Sequence, residues 1–169
     1  WELDGKKQFV NETSIISLVD YIGGKRINKD PKYIYTRINM HSKEYGSGDV
    51  NIGVKPCTHL WFLPSKNIEQ NSRNLKELMG NHHVFKHYEI IPVYCGSEEI
   101  QKLKEGDGLE ANLERLLQNS GKKGLILLAG SMLNLGISLP SCDVVLKLHN
   151  KQSADENEQQ DARCLTERK

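Results

Sequence analysis

The sequence predicts an α/β domain built on a mostly parallel sheet with helices on both faces. Three observations carry that expectation. Short apolar runs of strand length recur at residues 59–63, 88–94, 124–129 and 143–148. Amphipathic stretches of helical length at residues 67–79 and around Leu109, Leu113, Leu116 and Leu117 separate the first three runs. The runs themselves are nearly continuous in apolar residues, as strands covered on both faces are. Parallel strands need crossover connections, so strand–helix alternation selects a parallel sheet.

Taken in order, residues 13–22 read as a short amphipathic helix, with Thr13 or Ser14 as cap and Gly23-Gly24 as stop. Residues 25–56 are the least legible stretch. Within them, Tyr33, Tyr35 and Arg37 alternate with Ile34, Thr36 and Ile38 like a strand, and residues 45–49 look like a loop. His59-Leu60-Trp61-Phe62-Leu63 is a buried strand closed by Pro64. Residues 67–79 follow as a helix with Ile68, Ser72, Leu75, Leu78 and Met79 on one side and Gly80-Asn81 as stop. Residues 88–94 form a second strand, and Asp107 is a plausible cap for the next helix, which Gly121 ends. Gly124–Ala129 is a third strand and residues 143–148 a fourth, with a glycine-containing turn from Gly130 to Pro140 between them. The polar segment 153–169 has helical propensity, and the sequence holds no internal repeat.

Composition narrows the function classes. At 169 residues the chain fits one domain, 1–169. With 37% hydrophobic and 27% charged residues it is neither disordered nor membrane-spanning in character. The longest apolar stretches, such as residues 125–129, are far short of the ~18 residues a membrane helix requires, and no signal peptide is visible. The first residue is Trp1 and not Met, which suggests a piece of a longer protein. Lys+Arg 23 against Asp+Glu 22 leaves the charge near balance, so nucleic-acid binding would need a local basic face. Cys57, Cys95, Cys142 and Cys164 form no CxxC pair, so thiols in a reducing compartment are expected and structural zinc is not.

Chemistry is concentrated where strands end, because ligands of open α/β sheets collect at the carboxyl edge. The loop Ala129-Gly130-Ser131-Met132-Leu133-Asn134-Leu135-Gly136-Ile137-Ser138 leaves such an end, and its two glycines permit close approach of a phosphate or an opposing domain. A glycine loop after a strand is more often only a turn. The longer run from Gly130 through Leu139-Pro140 to Val145 resembles helicase motif V. His59 to Pro64, followed by Ile68 and Leu75, resembles motif IV and its helix. Asp155, Gln159, Arg163, Cys164, Thr166 and Glu167, spaced D-x-x-x-Q-x-x-x-R-C-x-T-E, resemble motif VI in helicases of large DNA viruses.

Together these stretches, over residues 57–169 and in the right order, resemble the C-terminal RecA-like lobe of superfamily 2 helicases. The resemblance implies that Arg163 is an arginine finger for the γ-phosphate of ATP, since a guanidinium stays charged and forks onto phosphate oxygens. It implies that Gln159, one helical turn earlier, orients water or contacts the nucleotide, and that Asp155 extends that face. Gly136 and Ser138 would lie at the cleft between lobes. Gly130, Ser131, Phe62 and Pro64 would contact nucleic acid, DNA or RNA, through its backbone. The cofactors implied are ATP and Mg²⁺, held mainly by an N-terminal RecA-like lobe of the same protein. This chain departs from the pattern in placing Gln160-Asp161-Ala162 before Arg163 and Ser131 where lysine is common. The bland alternative for Arg163 is a solvated surface arginine.

Other clusters are weaker. His82, His83 and His87 lack a completing carboxylate or cysteine, so no metal site is expected. Asp107, Glu110 and Glu114 read as helix-terminal and solvated charges, and Ser131 lacks a G-x-S-x-G elbow. Lys25, Arg26, Lys29, Lys32 and Arg37 interleave with tyrosines and could face nucleic acid or merely solvent. No G-x-x-x-x-G-K-[ST] occurs, so the chain alone should not hydrolyse ATP. The function expected is the C-terminal lobe of an ATP-dependent helicase or translocase, cytoplasmic or, for a viral protein, in the viral factory or virion, with the nucleus open. The alternatives are a degenerate RecA-like binding module, and a motor lobe of a restriction or remodelling enzyme that translocates without unwinding.

Overall fold

The structure, a computed structural model, describes residues 1–23, 57–94, 101–103, 105, 108–130 and 142–149. The strand-like pattern at 33–38, the loop at 45–49, the turn beyond Gly130 and the terminal segment 153–169 lie outside the described residues.

Among the described residues four strands, β1 (Cys57–Phe62), β2 (Tyr88–Val93), β3 (Gly124–Ala129) and β4 (Cys142–Lys147), form one sheet in the order β2-β3-β1-β4. All three pairings are parallel. The helices α1 (Glu12–Gly23), α2 (Ile68–Asn81) and α3 (Leu109–Ser120) accompany them, with a 3₁₀ turn at Phe85–His87 leading into β2. The expected α/β class with a parallel sheet is therefore the observed one.

Strand alternation divides the core into two layers. Trp61, Ile90, Ile126 and Leu128 point to one face, where they pack with Ile15, Val19 and Ile22 of α1 and Leu75 and Met79 of α2. Leu60, Phe62, Ile91, Val93, Leu125, Leu127 and Ala129 point to the other, against Leu113 of α3 and Leu103. Successive side chains on a strand point oppositely, so each strand feeds both clusters. Helices on both faces, anticipated from the continuous apolar runs, follow from this. β3 is buried at every position. β4, at the outer flank beside β1, is half-buried from Val144 onward, so burial on both faces does not extend to it.

Several boundaries differ from expectation for local reasons. The first amide bonds of α1 run from Ser14 and Ile15 to the carbonyl of Asn11, which sets the cap ahead of Thr13 and Ser14. Gly80 and Asn81 remain helical, and α2 stops at His82, which adopts extended backbone. The cap position of α3 is Gly108, not Asp107. Gly121 does end α3, in the left-handed conformation at φ 63° that glycine adopts without a Cβ clash. β4 carries an irregularity: Thr58 pairs with Cys142 but His59 with Val144, so Asp143 is an extra residue.

The chain before α1 docks as a clip. An antiparallel bridge joins Leu3 to Phe9, and Asp4 Oδ1 accepts the Lys6 and Gln8 amides at 2.8 and 2.9 Å. Asn74 Nδ2 of α2 donates to the Lys7 carbonyl at 2.8 Å, which ties the clip to the helix. At the far end of α1, Gly23 is buried so closely that an added Cβ would lie 2.6 Å from His82 Cε1 and 2.8 Å from Phe85 Cε2.

Candidate functional site at the carboxyl edge of the sheet

Strands β1 and β3 are neighbours and in register. Phe62 pairs with Ala129, and the Leu63 amide continues the ladder to the Ala129 carbonyl at 2.8 Å. On the other side of β1, the Leu148 amide donates to the Phe62 carbonyl at 2.8 Å. Pro64, Gly130 and Leu148 therefore leave the sheet along one edge.

The first turn of α2 lies over this edge. Gly130 is buried, and a Cβ built on it would lie 3.1 Å from Ile68 Cγ1. The close approach for which glycine was expected is thus made at least in part by an aliphatic side chain of the same domain. Asn67, just before the helix, has left-handed backbone at φ 56° and makes no side-chain capping bond. A cleft of about 580 Å³ opens here between the N-terminal clip and α2, with Lys7, Ser65, Asn67, Gln70 and Arg73 among its walls. Its charges are mixed. Arg73 is bridged to Glu69 at 2.8 Å, and Asp4 faces the same space as Lys7.

Among the expected site residues, Gly130 and Pro64 lie on this edge, Pro64 half-buried. Phe62 does not present a side chain there. It is fully buried in the layer that holds Leu103 and Leu113, because its position on β1 turns it away from Trp61 and α2. Its carbonyl reaches the edge, where it accepts the Leu148 amide. Ser131, Gly136, Ser138, Asp155, Gln159 and Arg163 lie outside the described residues, as do Lys25, Arg26, Lys29, Lys32 and Arg37.

Of the polar residues on the buried side of α2, Ser72 was placed there by the sequence pattern, whereas Asn71 and Asn74 escaped it. Asn71 and Ser72 have no exposed surface, and Asn74 is nearly as buried. Asn71 Nδ2 donates to the Lys66 carbonyl at 3.0 Å, and Gln70 Nε2 donates to Asn74 Oδ1 at 2.8 Å. Amides at helical spacing beside Leu75 were the available signal that irregular backbone docks on this helix.

The histidines part company. His82 Nδ1 accepts the Val84 amide at 3.2 Å, and Nε2 lies 3.4 Å from Asp20 Oδ1 of α1, a proximity that becomes an ion pair only when the imidazole is protonated. His87 is exposed. Among the described residues, no three His, Cys, Asp or Glu side chains are grouped so as to hold a metal ion.

Comparison with known protein families and with curated proteins finds no match to this chain. No helix among the described residues is long and apolar enough to cross a membrane.

Proposed function

We propose that this chain is the C-terminal RecA-like lobe of a superfamily 2 helicase or nucleic-acid translocase. The observation that carries the reading is the side-by-side emergence on one sheet edge of β1, which through Pro64 resembles motif IV, and β3, whose following loop resembles motif V. A motor lobe needs that edge for its partner lobe and its track, since open α/β sheets bind at their carboxyl ends. Gly130 and Ser131 would meet the sugar-phosphate backbone, which fixes position without reading sequence.

In this reading ATP and Mg²⁺ belong mainly to the first lobe, and Arg163 brings a fixed positive charge to the γ-phosphate, with Gln159 and Asp155 on the same helix face. Gly136 and Ser138 line the cleft between lobes, whose opening and closing moves the protein along DNA or RNA. The setting is cytoplasmic, or a viral factory if the protein is viral.

The test is nucleic-acid-stimulated ATPase of the parent protein, wild type beside Arg163→Ala. The expected loss is about a hundredfold or more with nucleic-acid binding retained. The 169-residue chain alone should show no steady ATP turnover. An undiminished Arg163→Ala ATPase would instead leave a RecA-like binding module.

A further inference from the structure

The opposite edge of the sheet, where the strands begin, gathers positive charge from two distant stretches of sequence. Tyr88 pairs with Gly124, and the ladder extends backwards by one bond from the Lys123 amide to the His87 carbonyl at 2.8 Å. This sets Lys86-His87 beside Lys122-Lys123. The Lys122 ammonium donates to the Lys86 carbonyl at 2.9 Å, so that charge is held in place. All four side chains are exposed. No carboxylate among the described residues forms an ion pair with Lys86, Lys122 or Lys123. Glu89, two residues beyond His87 on β2, is the acid closest along that strand.

Helix ends account for only part of this arrangement. α2 and α3 both finish shortly before these turns, and a helix C-terminus attracts cations with about half a negative charge. Two such ends amount to about one charge against three lysines. Partial desolvation first, and then the charges of Lys123, Lys86 and Lys122, hold the His87 imidazole below its ordinary range, a sign that the local field is positive.

We propose that the facing turns Lys86-His87 and Lys122-Lys123 form a second nucleic-acid contact, which takes backbone phosphates at the edge of the sheet remote from Gly130. The chemistry favours nucleic acid over a protein partner. The exposed large hydrophobic side chains among the described residues, Val10, Ile16 and Tyr21, all belong to the clip and α1. A protein interface is centred on apolar contact, whereas phosphate contacts need only charge and donors. The contact is therefore insensitive to sequence and sensitive to salt. Its choice of occupant rests on the motor reading above.

The experiment titrates the 169-residue chain against a labelled mixed-sequence single-stranded oligonucleotide by fluorescence anisotropy, over a range of salt concentrations. The variants are Lys123→Gln and the triple Lys86→Gln, Lys122→Gln, Lys123→Gln, with Lys76→Gln as control. Removing three phosphate contacts should reduce the slope of log affinity against log salt by about 2, and the single change by about 0.7. Affinity at low salt should fall about tenfold or more in the triple variant and stay unchanged in the control. Wild-type binding with an unaltered slope in the triple variant would overturn this contact while leaving the motor reading standing. Failure of the wild type to bind would count against both. Lysine-dependent binding of polyglutamate without binding of the oligonucleotide would overturn the choice of occupant.

Discussion

His59 has no exposed surface and sits in the central strand β1, between Ile126 of β3 and Val144 of β4. Its ring lies edge-on to Tyr88, with centroids 5.7 Å apart. Burial pushes its pKa down to about 3, because the interior disfavours the imidazolium. The folded chain therefore keeps His59 neutral, while the unfolded chain takes up a proton below the ordinary value near 6.5. The associated stability is fully present above pH 6.5 and is lost as pH falls from there toward 3, at up to about 1.4 kcal/mol per pH unit. Between pH 7 and pH 5 this one residue should cost the native state roughly 2 kcal/mol. Urea unfolding at pH 5, 6 and 7 measures it, and His59→Leu should flatten the curve by that amount. An unchanged pH dependence in the variant would show that His59 is not the group responsible. The sequence reading placed His59 correctly in a buried strand. That Phe62 and Trp61 take opposite faces was not legible, because a continuous apolar run does not say which face each residue takes.

At the scale of elements, the contact of β3 with α2 is the clearest case of a glycine explained by its neighbour. Gly130 lies under Ile68, so close that a Cβ added to it would sit only 3.1 Å from Ile68 Cγ1. Gly130→Ala should destabilise the fold by about 1–2 kcal/mol through crowding. In an Ile68→Ala background most of that penalty should disappear, as a double-mutant cycle in chemical denaturation would show. An equal penalty in both backgrounds would point to the backbone at Gly130 itself. Sequence alone suggested close approach by a phosphate or an opposing domain and did not foresee Ile68, which is reached only through the crossover. The elements were most legible where pattern and punctuation agreed, as in β3, whose bounds match, and in α3 with its stop at Gly121. They were least legible where tertiary contact sets the end, as at His82, held by Val84, Asp20 and Gly23. The extra residue at Asp143 was hidden too, because bulges follow from pairing and not from composition.

For the whole molecule, the two apolar layers share the same strands, so neither can be lost while the other stays intact. Trp61 reports on one layer, being fully buried and edge-on to Phe85 at 5.3 Å. Far-UV circular dichroism reports on helices of both. With Trp1→Phe introduced to leave Trp61 as the sole tryptophan, fluorescence and dichroism should give one coincident unfolding transition. Separate midpoints would mean that the α3 side unfolds independently of the α1 and α2 side. The basic turns at residues 86–87 and 122–123 also belong to this scale. They stand about 36 residues apart in sequence and meet only through the β2–β3 register, which is why near-neutral bulk charge concealed them.

Pro92, in β2, the outer strand among the described residues, gives that side of the sheet a further property. The carbonyls of His87 and Val93 both accept amides from the β3 side, so with a period of two the backbone of Pro92 faces outward. A nitrogen without hydrogen costs the native ladder nothing there, yet it denies a donor to any strand approaching from solution. That flank is thereby a poorer template for edge-to-edge polymerisation, a safeguard against aggregation built into the described sheet.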